Sequence, residues 1–379
     1  MAGAAATPSN TGHEGGWSVR RFRPTGNSNR TLELAPSVGS PVARKVTCSG
    51  THSELVQRHN GQMKPFVYWA KTREAVLNRI ALAALAVATV AFAGAANAQG
   101  VDFSKVEIKT IDLGNNTYRL EGQGGNITVA VGTDGIIMVD GQFAPLHDKI
   151  KAAITAISPL PIKYLINTHF HGDHTGGNES FQNDGAIVVA QDNVRVRLAA
   201  GTTNGITGAK TPPVPAGALP KQTYIGGSVT LEVGGRKAQL THVNNAHTDG
   251  DTWVYFADAN VLCTGDTMNN TKRYQTIDFA NGGDIRGMIR ATDTYLKVAN
   301  DDTKVMTGHG TLAKKSDIAE FNEMLKTARE RVEKMFNEGT SEADVVAARP
   351  LKDLDAKWAA NDEAAIAFLK MVYNSFKRS

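Results

Sequence analysis

The segment IKYLINTHFHGDHTGGN, Ile162 to Asn178, constrains this chain more than any other. An apolar run of strand character leads directly into three histidines and an aspartate between His169 and His174. Such a tip is either a solvated polar loop or one half of a metal cage, and a cage requires other segments to arrive at the same point. In an extended segment residues two apart point the same way, so His169 and His171 can present nitrogens to one ion. Asp173 and His174 follow as the chain leaves the strand and can face a second point nearby. Imidazole and carboxylate donors suit Zn²⁺, Mn²⁺ or Fe²⁺, and the lack of a spare thiolate argues against a closed structural zinc site.

From residue 99 onward the histidines are few: 147, 169, 171, 174, 242, 247 and 309. Three later segments offer the missing half. NAHTDGDT carries His247, CTGDTM carries Asp266 and TGHGTL carries His309, each a short polar turn beside an apolar strand. Around them, periodicity predicts a hairpin in residues 106–122 turning at Gly114-Asn115-Asn116, and two strands flanking Asp134-Gly135. A helix is expected from Leu146 to Ile157, stopped by Ser158-Pro159. Short strands follow at 185–190, 228–233, 238–243, 252–257 and 260–265. Ser316 to Glu338 reads as a helix with Ile318, Phe321, Leu325, Ala328, Val332 and Phe336 on one stripe and Gly339 as its stop. Ala343 onward reads as further helix, broken near Pro350. Gly201 to Gln222, rich in Gly, Pro and Thr, reads as a long loop without structure of its own, usually a functional or mobile feature. Two groups of strands with accompanying helices suggest a layered α/β arrangement.

At this point the residues resemble a family, the metallo-β-lactamase superfamily. HFHGDH matches its H-x-H-x-D-H signature, and His247, Asp266 and His309 fall in the order of its remaining ligands, over a span from Val106 to about Leu325. The resemblance implies an α/β fold, the αβ/βα four-layer sandwich: two mixed β-sheets packed face to face with helices outside. It implies two Zn²⁺ per chain. His169, His171 and His247 would hold one, Asp173, His174 and His309 the other, and Asp266 would bridge them. It also implies a hydroxide between the metals as nucleophile, with Asp173 as the catalytic residue that orients it or relays its proton. Two adjacent dications bring the pKa of a shared water near neutrality, which supplies a nucleophile without Ser or Cys.

With Asp266 in the bridging place, Cys263 reads as a small buried strand residue. Asp140 reads as a brace, His242 as a buried or supporting histidine, and His147 as an exposed helix residue. Asp249 and Asp251 are turn-formers or partners of His247, and Asn244 and Asn245 are turn residues. Gly201–Gln222 and Gly141–Leu146 are candidate walls of a substrate groove.

The superfamily covers β-lactamases, lactonases, thioesterases, sulfatases, nucleases and some redox enzymes, and fold does not choose among them. The first expectation is a metal-dependent hydrolase that opens a cyclic amide, a β-lactam ring. Asp266 stands where zinc β-lactamases place Cys or Ser, which favours the alternative of a lactonase or thioesterase. An iron-dependent oxidoreductase on the same ligands is the alternative from another class.

Charge and the N-terminal stretch bear on compartment and partners. Residues 1–98 hold 11 Lys/Arg against 4 Asp/Glu, whereas 99–379 hold 30 against 33. The chemistry-bearing part is mildly acidic, which gives no support to a nucleic-acid partner and leaves a small-molecule substrate. Ile80 to Ala98 is a short apolar run preceded by Lys64, Lys71, Arg73 and Arg79 and closed by Ala96-Asn97-Ala98. These marks predict a signal peptide over 63–98 and a periplasmic or secreted product with no membrane anchor after cleavage. Residues 1–62 are expected to be disordered or a non-native extension, with translation starting at Met63 and the hydrolase domain spanning 99–379. Cleavage would leave Cys263 without a partner for an intrachain disulfide.

Overall fold

The computed structural model describes residues 101–377. The expected extension (1–62) and signal (63–98) lie outside the described residues. The first sheet begins with β1 (Lys109–Gly114), β2 (Thr117–Glu121), β3 (Ile127–Val131) and β4 (Ile136–Val139), paired antiparallel in sequence order. The expected turn closes the first hairpin. Asn115 and Asn116 adopt left-handed φ of 46° and 50°, as a two-residue hairpin turn requires. The sheet continues in parallel with β5 (Ile162–Ile166) and β6 (Ile187–Gln191). After a small hairpin, β7 (Thr202–Thr203) and β8 (Lys210–Thr211), it ends at β9 (Gln222–Tyr224). The second sheet runs β10 (Ser228–Val233), β11 (Arg236–Val243), β12 (Asp251–Phe256), β13 (Val261–Gly265) and β14 (Lys304–Thr307), with only the last pair parallel.

Strand periodicity makes the layers. In β4, Ile137 and Val139 turn inward to meet Leu240, Val254, Phe256 and Met306 of the second sheet, while Ile136 and Met138 turn outward. There they meet Ile150 and Ile154 of α1 (His147–Ile157). The chain then forms α2 (Gly172–Thr175), α3 (Asn178–Asn183) and α4 (Asp192–Ala200). On the far side, Leu262 of β13 and Val305 of β14 face away from the first sheet, into a cluster with α5 (Ile285–Val298) and α6 (Lys315–Asn337). α7 (Glu342–Ala348), α8 (Lys352–Trp358) and α9 (Asp362–Phe376) complete that layer. The order helix, sheet, sheet, helix is the expected four-layer sandwich. Each fully buried Ile or Leu contributes about 1.5–3 kcal/mol, and three such clusters fix the strands whose tips carry the polar site.

Several elements were not anticipated, among them α3, α4, β9, β14 and α5. α5 places Ile285, Met288, Ile289, Thr292 and Tyr295 on one buried face behind an Asp284 cap, a helical period that the sequence does carry. The 201–222 segment is not a structureless loop. A 3₁₀ turn at Ala216–Ala218 is fastened to α3, because Gln182 Nε2 donates to Gly217 O (2.6 Å) and Leu219 O (3.0 Å). Val214 and Leu219 pack against the cluster of Phe170, Val194 and Leu198. Among the described residues no helix is long and apolar enough to cross a membrane.

Candidate metal centre

The site is built where β4, β5, β12, β13 and β14 end together. After β5, alternation buries Phe170 on one side with Val194 and Leu198 and turns His169 and His171 to the other. One turn of helix, α2, then swings Asp173 and His174 toward the same space. His247 arrives on the turn before β12, Asp266 directly after β13 and His309 directly after β14.

All seven expected residues meet, in the two expected groups. The donor atoms of His169, His171, His247 and Asp266 lie within 4.8 Å of one another, as do those of Asp173, His174 and His309. His171 Nδ1 is 3.0 Å from His247 Nε2, and His174 Nε2 is 3.3 Å from His309 Nε2. Asp266 stands between the groups. Its Oδ1 lies 3.4 Å from His174 Nε2, and its Oδ2 lies 3.4 Å from His309 Nε2 and 3.8 Å from His247 Nε2. Asp173 Oδ2 is 3.2 Å from His309 Nε2.

Each supporting contact leaves one ring nitrogen free to face inward. Asp140, at the end of β4, accepts from the Thr168 N–H and hydroxyl and from His174 Nδ1, each at 2.8 Å. The Thr168 hydroxyl sits 3.1 Å from His169 Nδ1, so one carboxylate orients two histidines. His247 Nδ1 donates to Thr276 O at 2.7 Å. His171 Nε2 lies 3.0 Å from Asp278 Oδ2, and Asn281 Nδ2 donates to both Asp278 oxygens. Fixing the outer nitrogen sets the tautomer and aims the other at a ligand. Asp140 was anticipated as a brace; Asp278 was not, because nothing local in QTIDFANGG marks it. Gly125 and Gly308 were also missed. A methyl group at Gly125 would strike the His174 ring, and one at Gly308 would strike the Asp266 carboxylate.

Electrostatics follow from burial and neighbours. Burial pushes the His169 ring well below its ordinary pKa and lowers His247 to about 4, His171 beside it acting in the same direction. Burial opposes protonation of His174 and His309 as well, but Asp173 and Asp266 outweigh it, raising His174 well above its ordinary value and His309 to about 10. Against their own burial, His174 and His309 hold Asp173 down to about 2 and Asp266 well below the carboxylate range. The acids are thus ionised. Among the described residues, His169 Nε2 and Asp266 Oδ1 are buried without a hydrogen-bond partner, which is unusual for polar atoms in a folded interior. Orphaned donor atoms facing one another, in a set of imidazoles and carboxylates, fit cations between them.

A cavity of about 480 Å³ opens over these residues. One wall is Asn204 to Ile206, so the 201–222 segment supplies a wall as expected. Gly141–Leu146 does not; Gln142 lies behind the site, its Nε2 donating to Gly125 O at 2.8 Å. Residues between Asn269 and Phe279, with Met371 of α9, form the rest of the lining, which the sequence did not reveal.

The remaining candidates take no place among the donors. His242 Nδ1 lies 2.9 Å from Asp251 O. Cys263 is buried beside the Thr128 hydroxyl. Asp249 pairs with Arg197, and Asp251 caps the Thr248 turn. His147 is not exposed as expected; it is half-buried between Asp148, Asp184 and the Phe181 ring.

Comparison with known proteins bears on this geometry. The sequence profile of the metallo-beta-lactamase superfamily matches residues 120–309, half of the chain, including every residue of both groups. This chain belongs to that superfamily. The metallo-β-lactamase fold binds metal ions, and most members are metal-dependent hydrolases. A curated relative, the 2,4-dinitroanisole O-demethylase subunit alpha of a Nocardioides species, is 26% identical over 153 residues, 40% of this chain and 43% of that protein. The match thus spans less than half of the relative's length. Among solved structures, the sec-alkylsulfatase Pisa1 of a Pseudomonas species is 16% identical, with a TM-score of 0.54, over 70% of this chain and 50% of that one. A metallo-β-lactamase from Pontibacter korlensis is 16% identical, with a TM-score of 0.48, over 58% of this chain and 99% of its own.

Proposed function

We propose that this member of the superfamily is a two-zinc hydrolase of acyl bonds. The observation that supports it most is Asp266, a buried carboxylate with one oxygen toward His174 and the other toward His309 and His247. His169, His171 and His247 would hold one cation and Asp173, His174 and His309 the other, with Asp266 shared. When bound, such a pair makes a water ionise near neutral pH and polarises a carbonyl. The chain's own residues do the rest. Asp140 and Asp278 keep the rings of His169, His174 and His171 aimed inward. Asp173, at the cavity edge and ionised, accepts a hydrogen bond from the attacking water and orients it, and the water's proton passes on to the leaving group. The oxygen adds to the carbonyl carbon, and the bond to the leaving nitrogen, oxygen or sulfur breaks.

A β-lactam ring is the first substrate class in this reading, because the 63–98 pattern points to a periplasmic or secreted protein. A lactone or thioester is the second, favoured by a carboxylate where zinc β-lactamases carry Cys or Ser. The named relatives add an aryl methyl ether and a sulfate ester to the test. Purified, metal-quantified protein is assayed on all five with and without chelator. Chelator-sensitive turnover of an acyl substrate with two zinc per chain is expected. One iron per chain with redox turnover and no hydrolysis would overturn the reading.

A further inference from the structure

Beside the metal cavity lies a second one of about 250 Å³, between residues 273–276 and the C-terminal helices. The two share Arg273 to Thr276 and Met371 in their linings, so they lie side by side. On the helical side the lining is apolar: Trp358 of α8 and Ala364, Ala367, Phe368 and Met371 of α9. Positions 364, 367, 368 and 371 fall on one face of a helix. Ala364 and Ala367, too short to reach across, leave the space open. The other wall is held firmly. The Tyr274 N–H donates to Trp358 O (2.6 Å), its hydroxyl donates to Asp355 Oδ1 (2.9 Å), and its ring stacks on Phe368 at 4.1 Å and 8°. This is a standing gap with fixed walls.

We infer that this annex takes an apolar arm of the substrate whose acyl group lies at the metal centre, an inference that rests on the hydrolase reading. Its room matches roughly eight non-hydrogen atoms at the volume of a water each. A protein partner does not fit so small a recess, since a specific interface needs about 800 Å² from each side. Adjacency to the metal cavity argues for the occupant: Met371 lines both cavities, and a chain anchored at the carbonyl that passes it would meet Ala367 and Trp358. The C-terminal helices, which lie beyond the matched residues 120–309, would thereby set substrate length.

The test is a series of straight-chain acyl thioesters from two to ten carbons, assayed on zinc-loaded wild type, Ala367→Phe and Ala364→Leu. In wild type kcat/KM rises about fourfold per methylene and levels off near eight carbons. Filling the annex costs the eight-carbon substrate about 100-fold, mainly in KM, and the two-carbon substrate far less. A second readout needs no turnover: calorimetric binding of 1-octanol against 1-butanol to the same proteins, with zinc content and thermal unfolding recorded. Octanol is expected to bind wild type and to lose about 100-fold in both variants. Octanol binding without hydrolysis of any acyl substrate would sink the hydrolase reading while leaving an apolar annex. Chain-length dependence and octanol affinity unchanged in a folded Ala364→Leu or Ala367→Phe protein would overturn the annex.

Discussion

The two halves of the centre are made differently. His169, His171, Asp173 and His174 come from one stretch, braced by side-chain carboxylates: Asp140 behind His169 and His174, Asp278 behind His171. His247, Asp266 and His309 come from three strand ends and are held by main chain and close packing: Thr276 O behind His247, Gly308 against Asp266, and the Thr307 hydroxyl on His309 O. The first half leans mainly on charged braces, with Gly125 packed against His174, and the second on main chain and shape. Substitutions that change charge should therefore act through the first, and substitutions that add volume through the second.

Asp266→Ala breaks the comparison most severely, because it removes the carboxylate that stands between the two ligand groups. It should abolish occupancy of the second metal and lower turnover by about 1,000-fold or more, read by elemental analysis and kinetics. Asp140→Ala follows, since it frees both His169 and His174. Zinc affinity should fall about 100-fold, the upper range for a partner behind a ligand. Gly308→Ala tests the shape-set half. The added methyl displaces the Asp266 carboxylate without altering charge, and zinc affinity should fall by a similar factor while Gly226→Ala, at an open position, leaves it unchanged. Asp278→Asn, which weakens a brace on His171 alone, should cost about tenfold.

The smallest effect is on the stability of metal-free protein. Burial works against a protonated His309, yet Asp266 and Asp173 hold its pKa near 10, above the ordinary 6.5, and His174 shifts the same way. A pKa raised by folding stabilises fully below the unfolded value and is lost as pH rises through the folded one. The Tm of the metal-free protein should therefore decline between pH 6.5 and about 10, and zinc, which binds neutral rings, should remove that decline. An unchanged slope with zinc would place these rings outside the metal site.

The same division explains what the sequence revealed. His169 to His174 is contiguous and strand-borne, so its ligand pattern is written in residue order. His247, Asp266 and His309 were legible only as polar tips beside apolar strands in a recurring order; their meeting depends on long-range sheet pairing, such as β13 with β14 around an intervening helix. Asp278 and Thr276 act through tertiary contact alone, and Gly125 and Gly308 through a side chain they lack, so none has a local signature. The layered α/β fold was legible from period-two strands and the α6 stripe. The wall at 269–279 was not, because Tyr274 anchors it through tertiary contacts to α8 and α9 that leave no periodic pattern in its sequence.

Anomalous diffraction at the zinc edge, on crystals of zinc-loaded protein, tests the central assignment most directly. Two peaks are expected, one among His169, His171 and His247, the other among Asp173, His174 and His309, with Asp266 between them. A single peak, or zinc bound away from Asp266, would contradict it.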